Sequence, residues 1–310
     1  MPVHAQVETV LGLIEKSGNP EFHELSPQEA RAQFEAKAPI LDAKPIEVHR
    51  VEDRKVNGPG GPIPVRVYTP RESEAPLPVV VWTHGGGHVV GSVASYDAIC
   101  RHLAMGTQAI VVSVDYRLAP EHKFPAAIDD VFAVVEWVAT QADVFEGDPS
   151  RIAVAGDSAG GNLAAVSALL ARDAGIQLRA QALVYPVTAP DAESDSHHDN
   201  AEGFMLTRAN VLWFQRHYRR DERDRTDFRY APAIAESHAD LAPALIQVAE
   251  FDPLKDEGIE YANRLSRAGN QVSLTHYAGM IHGFFSLSSA VDAGRDAIAE
   301  VCAFLSKHLQ

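Results

Sequence analysis

The sequence predicts an α/β fold in which helices flank a mostly parallel central sheet. Short apolar runs typical of buried strands lie at residues 78–82, 109–114, 152–155 and 182–185. Helical patterns alternate with them, among others at 126–139 and 162–172. Because strands that alternate with helices are joined by right-handed crossovers, neighbouring strands are expected to run parallel.

Two segments break this alternation. Residues 1–45 predict two short helices, and a period-two strand pattern then begins at Ile46, with a hairpin loop at 57–62. The stretch from 189 to about 225 starts with acidic residues and continues with apolar clusters. We therefore expect residues 46–188 and 226–310 to form the core, and residues 1–45 and 189–225 to form a helical cap. Such a cap would cover the carboxyl edge of the sheet, where open α/β folds bind ligands.

The sequence Gly156-Asp157-Ser158-Ala159-Gly160 lies where a strand turns sharply into a helix. Glycines two positions before and after the serine let the chain fold back without a Cβ clash, which lifts the hydroxyl onto the helix N-terminus. This context is typical of a nucleophile elbow and predicts a serine hydrolase with Ser158 as nucleophile. The five-residue pattern alone is a weak signal, and the flanking strand and helix strengthen it.

A second glycine motif, His84-Gly85-Gly86-Gly87, follows the apolar strand at 78–82. Bare backbone N–H groups suit the oxyanion that forms when an ester carbonyl is attacked. We predict Gly85, Gly86 and the N–H of Ala159 as the oxyanion donors. The alternatives are a flexible turn and a phosphate-binding loop, but neither a following Lys-Ser/Thr pair nor a G-x-G-x-x-G spacing, which would indicate phosphate binding, is present.

A serine nucleophile needs a histidine to take its proton and a carboxylate to orient that histidine. Asp252 follows the apolar run 244–248, and His282 follows the strand pattern at 271–277. Asp256 is the competing carboxylate, although a place in a first helical turn also explains it. The competing His276 alternates within the strand and suits a surface or packing position.

Asp157 and Glu250 lie beside these predicted catalytic residues. Each either supports the site or serves only as a loop or cap residue.

These motifs together resemble the hormone-sensitive lipase family of bacterial esterases, often called family IV. The matching segments are 84–87, 115–121, 156–161, 252–258 and 282–284. The resemblance implies an α/β-hydrolase fold, the triad Ser158, Asp252 and His282, and cis bonds before Pro120 and Pro125. The chain departs from the family at His88, where relatives usually carry a bulky aromatic or aliphatic residue.

The resemblance also implies a homodimer, formed when the last strand, 271–277, pairs with its symmetry mate. A monomer whose edge strand is blunted by Asn270 and Gln271 is the alternative.

Composition narrows the possible partners. The net charge of −15 disfavours binding to nucleic acid or anionic membranes, and no apolar run reaches membrane-spanning length. Cys100 and Cys302 are the only cysteines and fit no disulfide framework. Adjacent histidines at 197–198 point apart and do not predict a metal site. We expect a cytoplasmic protein with no cofactor and no metal.

The function expected from these features is hydrolysis of small uncharged carboxylic esters of short to medium chain length. The alternatives are a ligand-binding receptor on the same fold, as plant gibberellin receptors are, and an amidase or long-chain lipase. Such receptors replace the catalytic histidine, whereas His282 is present here. The residues expected to form the substrate pocket are His88, Tyr185, Phe204, Met205, Leu206, Trp213 and Phe214.

Overall fold

The computed structural model describes residues 2–191 and 193–310, and its strands form one sheet in the order β1-β2-β4-β3-β5-β6-β7-β8. From β4 to β8 all neighbouring strands are parallel, whereas β1 and β2 are antiparallel additions at one edge. The mostly parallel sheet is therefore confirmed. The strands are β1 Arg50–Gly58, β2 Gly61–Thr69, β3 Leu77–Thr83, β4 Ile110–Val114, β5 Gly147–Asp157, β6 Leu178–Val184, β7 Ala244–Phe251 and β8 Val272–Ile281.

Helices cover both faces of the sheet. In β3, Val79 and Val81 pack into a core shared with α4 and α5, and the alternate residues Val80 and Trp82 pack into a core shared with α3 and α9. This period-two alternation is why β3 is apolar at every position. The helices are α1 Ala5–Ser17, α2 Pro27–Leu41, α3 Asp97–Thr107, α4 Ala126–Gln141, α5 Ala159–Asp173, α6 Asp195–Asp199, α7 Arg208–Tyr218, α8 Lys255–Arg267 and α9 Asp292–His308. Short 3₁₀ turns lie at Phe22–Glu24, Ala142–Phe145, Glu222–Thr226, Pro232–Ile234 and Phe284–Leu287.

The N-terminal segment meets the segment that carries α7. The ring of Phe22 packs edge-on against that of Phe214 at 5.7 Å between centroids, and the His23 N–H donates to Oδ1 of Asn210 at 3.0 Å. Thr207 donates its hydroxyl hydrogen to Glu21 at 2.8 Å. Two stretches nearly two hundred residues apart thus pack against each other.

Several local predictions can be compared with the structure. The peptide bonds before Pro120 and Pro125 are both cis, as the resemblance implied. The first strand begins at Arg50, four residues later than predicted, and the last strand continues to Ile281, beyond its predicted end at residue 277. Within the described residues no helix is both long and apolar enough to cross a membrane.

Candidate active site

Three polar side chains meet at the carboxyl edge of the sheet. Ser158, Asp252 and His282 each directly follow the last residue of a strand, β5, β7 and β8 respectively. Nε2 of His282 lies 2.9 Å from Oγ of Ser158, and its Nδ1 lies 2.8 Å from Oδ2 of Asp252. Since a carboxylate can only accept, Nδ1 carries the imidazole proton and Nε2 is left to accept from the serine.

The turn at Ser158 is strained. Its φ of 54° and ψ of −119° place a non-glycine residue in a sparsely populated region, immediately before α5. The Ser158 N–H donates to the carbonyl of Val184 at 2.8 Å, which ties the turn to β6. A Cβ at Gly156 or Gly160 would collide with backbone carbonyls, Thr83 O among them, so the two glycines satisfy a steric need.

The neighbourhood of Asp252 separates it from its competitor. Asp252 is fully buried, and its Oδ1 accepts from the N–H of Leu254 at 2.8 Å. Asp256 instead accepts from the N–H of Ser196 at 2.8 Å, so its carboxylate holds the α6 segment. The competing His276 lies exposed on β8.

The glycine loop requires one correction. The N–H of Gly85, predicted as an oxyanion donor, already donates to Oδ1 of Asp157 at 2.8 Å. The N–H groups of Gly86 and Gly87 have no partner in the described part of the chain, and both residues line the cavity described below. Ala159 opens α5, where the first N–H groups of a helix lack intrahelical acceptors. Gly86, Gly87 and Ala159 are therefore the better donor set.

Asp157 anchors this loop. Besides Gly85, its carboxylate accepts a hydrogen bond from the hydroxyl of Tyr96 at 3.0 Å. Burial raises the pKa of Asp157 to about 6 despite these two donors. Glu250, the other neighbour of the predicted site, accepts from the N–H of Gly279 at 2.7 Å and so contacts β8.

A mostly apolar cavity of about 270 Å³ opens beside Ser158 and His282. Of the seven predicted pocket residues, His88, Met205, Leu206 and Phe214 line it.

The other three predicted pocket residues do not line the cavity. Phe204 packs on Phe251 at 5.0 Å between ring centroids. Trp213 is only 6% exposed and belongs to the core, since one helical step turns its side chain about 100° from that of Phe214. Tyr185 packs behind His282, with the ring centroids 4.5 Å apart.

Helix α2 contributes a wall that the sequence analysis missed. Phe34, Lys37, Ala38 and Leu41 all line the cavity. Their spacing of i, i+3, i+4 and i+7 is that of one helix face, and this was the available signal. The signal is weak in the sequence because a charged residue, Lys37, interrupts the apolar face.

His88 lies in the left-handed region with a φ of 61° and is only 6% exposed. Its imidazole stacks on the ring of Tyr218, with 3.7 Å between centroids and 6° between planes. Burial lowers the pKa of His88 to about 3, so the ring is neutral at physiological pH. The residue that departs from the family pattern thus lines the cavity as an uncharged, stacked ring.

Comparisons with known proteins extend these observations. A family model described as the alpha/beta hydrolase fold matches residues 80–286. Carboxylesterase NlhH of Mycobacterium tuberculosis is 46% identical over 270 residues, which cover 84% of this chain and 83% of that protein. An ethyl acetate hydrolase of Pseudomonas putida is 35% identical, with 93% of this chain and 92% of that protein covered. The solved structure of a hyperthermophilic esterase from the archaeon Pyrobaculum calidifontis matches with a TM-score of 0.94 and 40% identity over 99% of both chains.

Proposed function

Because this chain belongs to the alpha/beta hydrolase family, we propose that it hydrolyses carboxylic esters through an acyl-enzyme formed on Ser158. The predicted similarity to bacterial esterases of the hormone-sensitive lipase type is confirmed by the relatives. One observation carries the proposal: the unbroken contacts of 2.8 and 2.9 Å that run from Asp252 through His282 to Ser158, beside an apolar cavity.

In the first half-reaction Ser158 Oγ attacks the ester carbonyl carbon while Nε2 of His282 takes the hydroxyl proton. Asp252 holds the imidazole in the required tautomer and stabilises its positive charge. The N–H groups of Gly86, Gly87 and Ala159 receive the negative charge that develops on the carbonyl oxygen, and each such donor contributes about 10²–10³ in rate.

Collapse of the tetrahedral intermediate breaks the bond to the alcohol oxygen, which takes the proton from His282. A water molecule then gives its proton to His282 and attacks the acyl carbon. The second intermediate releases the acid and returns the proton to Ser158. Every step uses side chains and backbone groups of this chain, and water is the only co-reactant.

We propose short- to medium-chain esters as substrates. The cavity of about 270 Å³ lies near the lower end of the roughly 300–1,000 Å³ usual for small-molecule sites. Each buried methylene contributes about 0.8 kcal/mol until the cavity is full. Rates should therefore rise through about four to eight acyl carbons and then fall. The relative named as an ethyl acetate hydrolase supports a small substrate.

The test is turnover of 4-nitrophenyl butyrate by the wild type, Ser158→Ala and Ser167→Ala. Ser167 is a buried serine of α5, outside the cavity lining, and provides the matched control. Loss of at least about 10⁴-fold is expected for Ser158→Ala alone. A fluorophosphonate probe should label Ser158 in the wild type. A folded Ser158→Ala variant with normal turnover would refute the proposal, and a wild type that binds esters without turnover would indicate a receptor.

Three further predictions remain proposals. Residues 1–45 and 189–225 act as a cap, which the Phe22–Phe214 contact and the α2 cavity wall support.

The chain forms a homodimer through β8, which is an edge strand of the sheet. Light scattering that returned the mass of one chain at micromolar concentration would contradict the dimer. The cytoplasmic location stays a prediction from the sequence.

A further inference from the structure

We propose that Lys37, on the wall that α2 contributes to the cavity, binds a carboxylate that the substrate carries at a distance from its ester group. The inference rests on the proposed ester hydrolysis and specifies its substrate class. It departs from the uncharged ester expected from the sequence. It predicts that an ester with such a carboxylate reacts better than the uncharged carboxamide of the same shape.

Lys37 differs from the other basic residues of the described chain because it alone among the lysines and arginines lines the cavity. Its neighbours on the same helix face, Phe34, Ala38 and Leu41, are apolar. No hydrogen bond or ion pair joins its ammonium group to a described residue. Four other unpaired lysines are exposed to water, which hydrates their charge, at positions 16, 44, 55 and 307. Lys37 is only partly exposed, so its charge has less of that hydration.

The ammonium group of Lys37 is itself partly removed from water. Burial lowers the pKa of Lys37 below its ordinary value, and no neighbouring carboxylate offsets this effect. A lysine often lays its methylene groups along an apolar wall while the charged end stays in water. Because only the charged end titrates, the lowered pKa shows that the ammonium group also lies against the wall.

The acidic residues of the cavity lining do not supply a partner for Lys37. Each of their carboxylates accepts a hydrogen bond from a hydroxyl or backbone N–H group of the fold. These residues are Glu21, Asp42, Asp157 and Glu257. A bound ligand is therefore the remaining source of a negative charge beside Lys37.

The charges beside the cavity decide which end of the substrate carries the anion. At the nucleophile, the carboxylate of Asp252 lies 2.8 Å from His282. A second negative charge close to the ester carbonyl would oppose the oxyanion that develops there. The α2 wall offers a positive charge instead, so an anionic ester is oriented with its ester group at Ser158 and its carboxylate at Lys37.

The packing of α2 indicates how far apart these two groups lie. Phe34, one turn before Lys37 on the same face, stacks on Tyr96 with 6.4 Å between ring centroids. The hydroxyl of Tyr96 in turn donates to Asp157, the residue before Ser158. Two aromatic residues thus connect the turn that carries Lys37 to the nucleophile, which places the carboxylate several bonds from the ester carbon.

The experiment compares the monoethyl esters of succinic, adipic and suberic acid with the matching ethyl esters that end in a carboxamide. The ratio of kcat/KM for acid to kcat/KM for amide is measured for the wild type, Lys37→Met and Lys37→Arg. Released ethanol is assayed, because a 4-nitrophenyl group would be expelled by the substrate's own carboxylate. The pair 4-acetoxybenzoate and 4-acetoxybenzamide places the same groups on the alcohol side, since either half of the substrate can carry the charge.

We expect the ratio to fall about fivefold in Lys37→Met, for the chain length or the side that fits, and to be kept in Lys37→Arg. Lys55→Met is the matched control, because it removes the same charge from an exposed position on β1 outside the cavity lining. Its ratio should equal that of the wild type.

Salt supplies a test that needs no variant. Raising NaCl to about 0.5 M should lower the wild-type ratio, because the salt screens the attraction between Lys37 and the carboxylate. The net charge of −15 alone would give the opposite sign, since screening relieves its repulsion of an anion. The wild type therefore remains informative if Lys37→Met fails to fold.

A ratio in Lys37→Met equal to that of the wild type in every pair would overturn the inference. Equal losses on acid and amide would also overturn it and indicate that Lys37 only supports α2. The proposed function fails separately, by absence of wild-type turnover of 4-nitrophenyl butyrate.

Discussion

Two regions beside the cavity differ in what they offer a substrate. At the strand ends, Ser158, His282 and Asp252 are joined by contacts of 2.8–2.9 Å. At the stacked rings, His88 and Tyr218 line the cavity, but Nε2 of His88 and the Tyr218 hydroxyl are buried within the wall and do not reach the cavity. The first arrangement is complete before substrate arrives, as preorganised catalysis requires, and the second offers substrate ring surface instead of polar atoms. Changes at the first should therefore lower reactivity toward every ester, and changes at the second should alter the choice among esters.

The largest expected effect separates the two carboxylates near the strand ends. Asp252→Asn should lower kcat by about 10⁴-fold, because the amide imposes the wrong tautomer on His282. Asp256→Asn should lower it less than tenfold, since that carboxylate contacts Ser196 instead. Steady-state rates on 4-nitrophenyl butyrate measure both. Equal losses in the two variants would show that Asp256 shares the role.

The anchor of the glycine loop should give the next largest effect. Asp157→Asn and Tyr96→Phe should each lower kcat by about ten- to a hundredfold, because a loosened loop misplaces the oxyanion donors. KM should change much less. Tyr68→Phe is the control, as its hydroxyl also donates to a carboxylate, Asp97, away from the cavity. A rise in KM with unchanged kcat would show that the Asp157 contact supports substrate binding and not stabilisation of the oxyanion.

The buried carboxyl of Glu257 should make the free energy of unfolding depend on pH. Burial raises its pKa from 4.5 to about 8 in the folded protein. The protonated carboxyl therefore stabilises the fold at low pH, and this contribution is lost as the pH rises from about 4.5 to about 8. Glu257→Gln removes the titration. The free energy of unfolding of the variant relative to the wild type should therefore increase between pH 5 and pH 9, by up to about 4 kcal/mol. Urea unfolding at the two pH values measures it, and a pH-independent difference would show that Glu257 does not titrate there.

The smallest effect tests the cavity wall itself. Phe214→Ala should move the acyl-length optimum by about two carbons toward longer chains, because its ring lines the cavity beside Gly87. Phe204→Ala removes the same number of atoms outside the cavity and should leave the optimum unchanged. Rates across a series of 4-nitrophenyl esters decide the matter. A shift in the Phe204 variant would mean that the cap reorganises around substrate.

The positions beside the strand ends could be predicted from sequence because each depends on a short local pattern. The elbow at Ser158 is set by two glycines and a strand–helix junction, and Asp252 and His282 follow strands directly. The choice of oxyanion donors could not be made in this way. All three glycines of the loop look alike, and only the folded chain shows that Asp157 takes the N–H of Gly85.

The residues that form the cavity walls were harder to predict from sequence because their positions depend on how distant segments pack. Trp213 and Phe214 are adjacent aromatic residues, and the direction in which α7 faces the core decides which of them meets substrate. Helix α2 is held near the site by residues far away in the sequence, among them Asn210 and Thr207, which bind residues 21–23 just before the helix. Apolar composition alone contains neither piece of information.

The contact between Asp157 and Gly85 has a consequence for local opening of the protein. Gly85 follows the end of β3 and belongs to a loop, a kind of segment whose amides usually exchange with solvent through small fluctuations. Its amide is instead held by a carboxylate at the end of β5, a strand paired on both sides within the sheet. Hydrogen exchange at Gly85 should therefore follow the opening of the central strands, with the loop in the same cooperative unit as the core. The oxyanion loop should consequently open only in fluctuations that are large enough to disturb the nucleophile Ser158 as well.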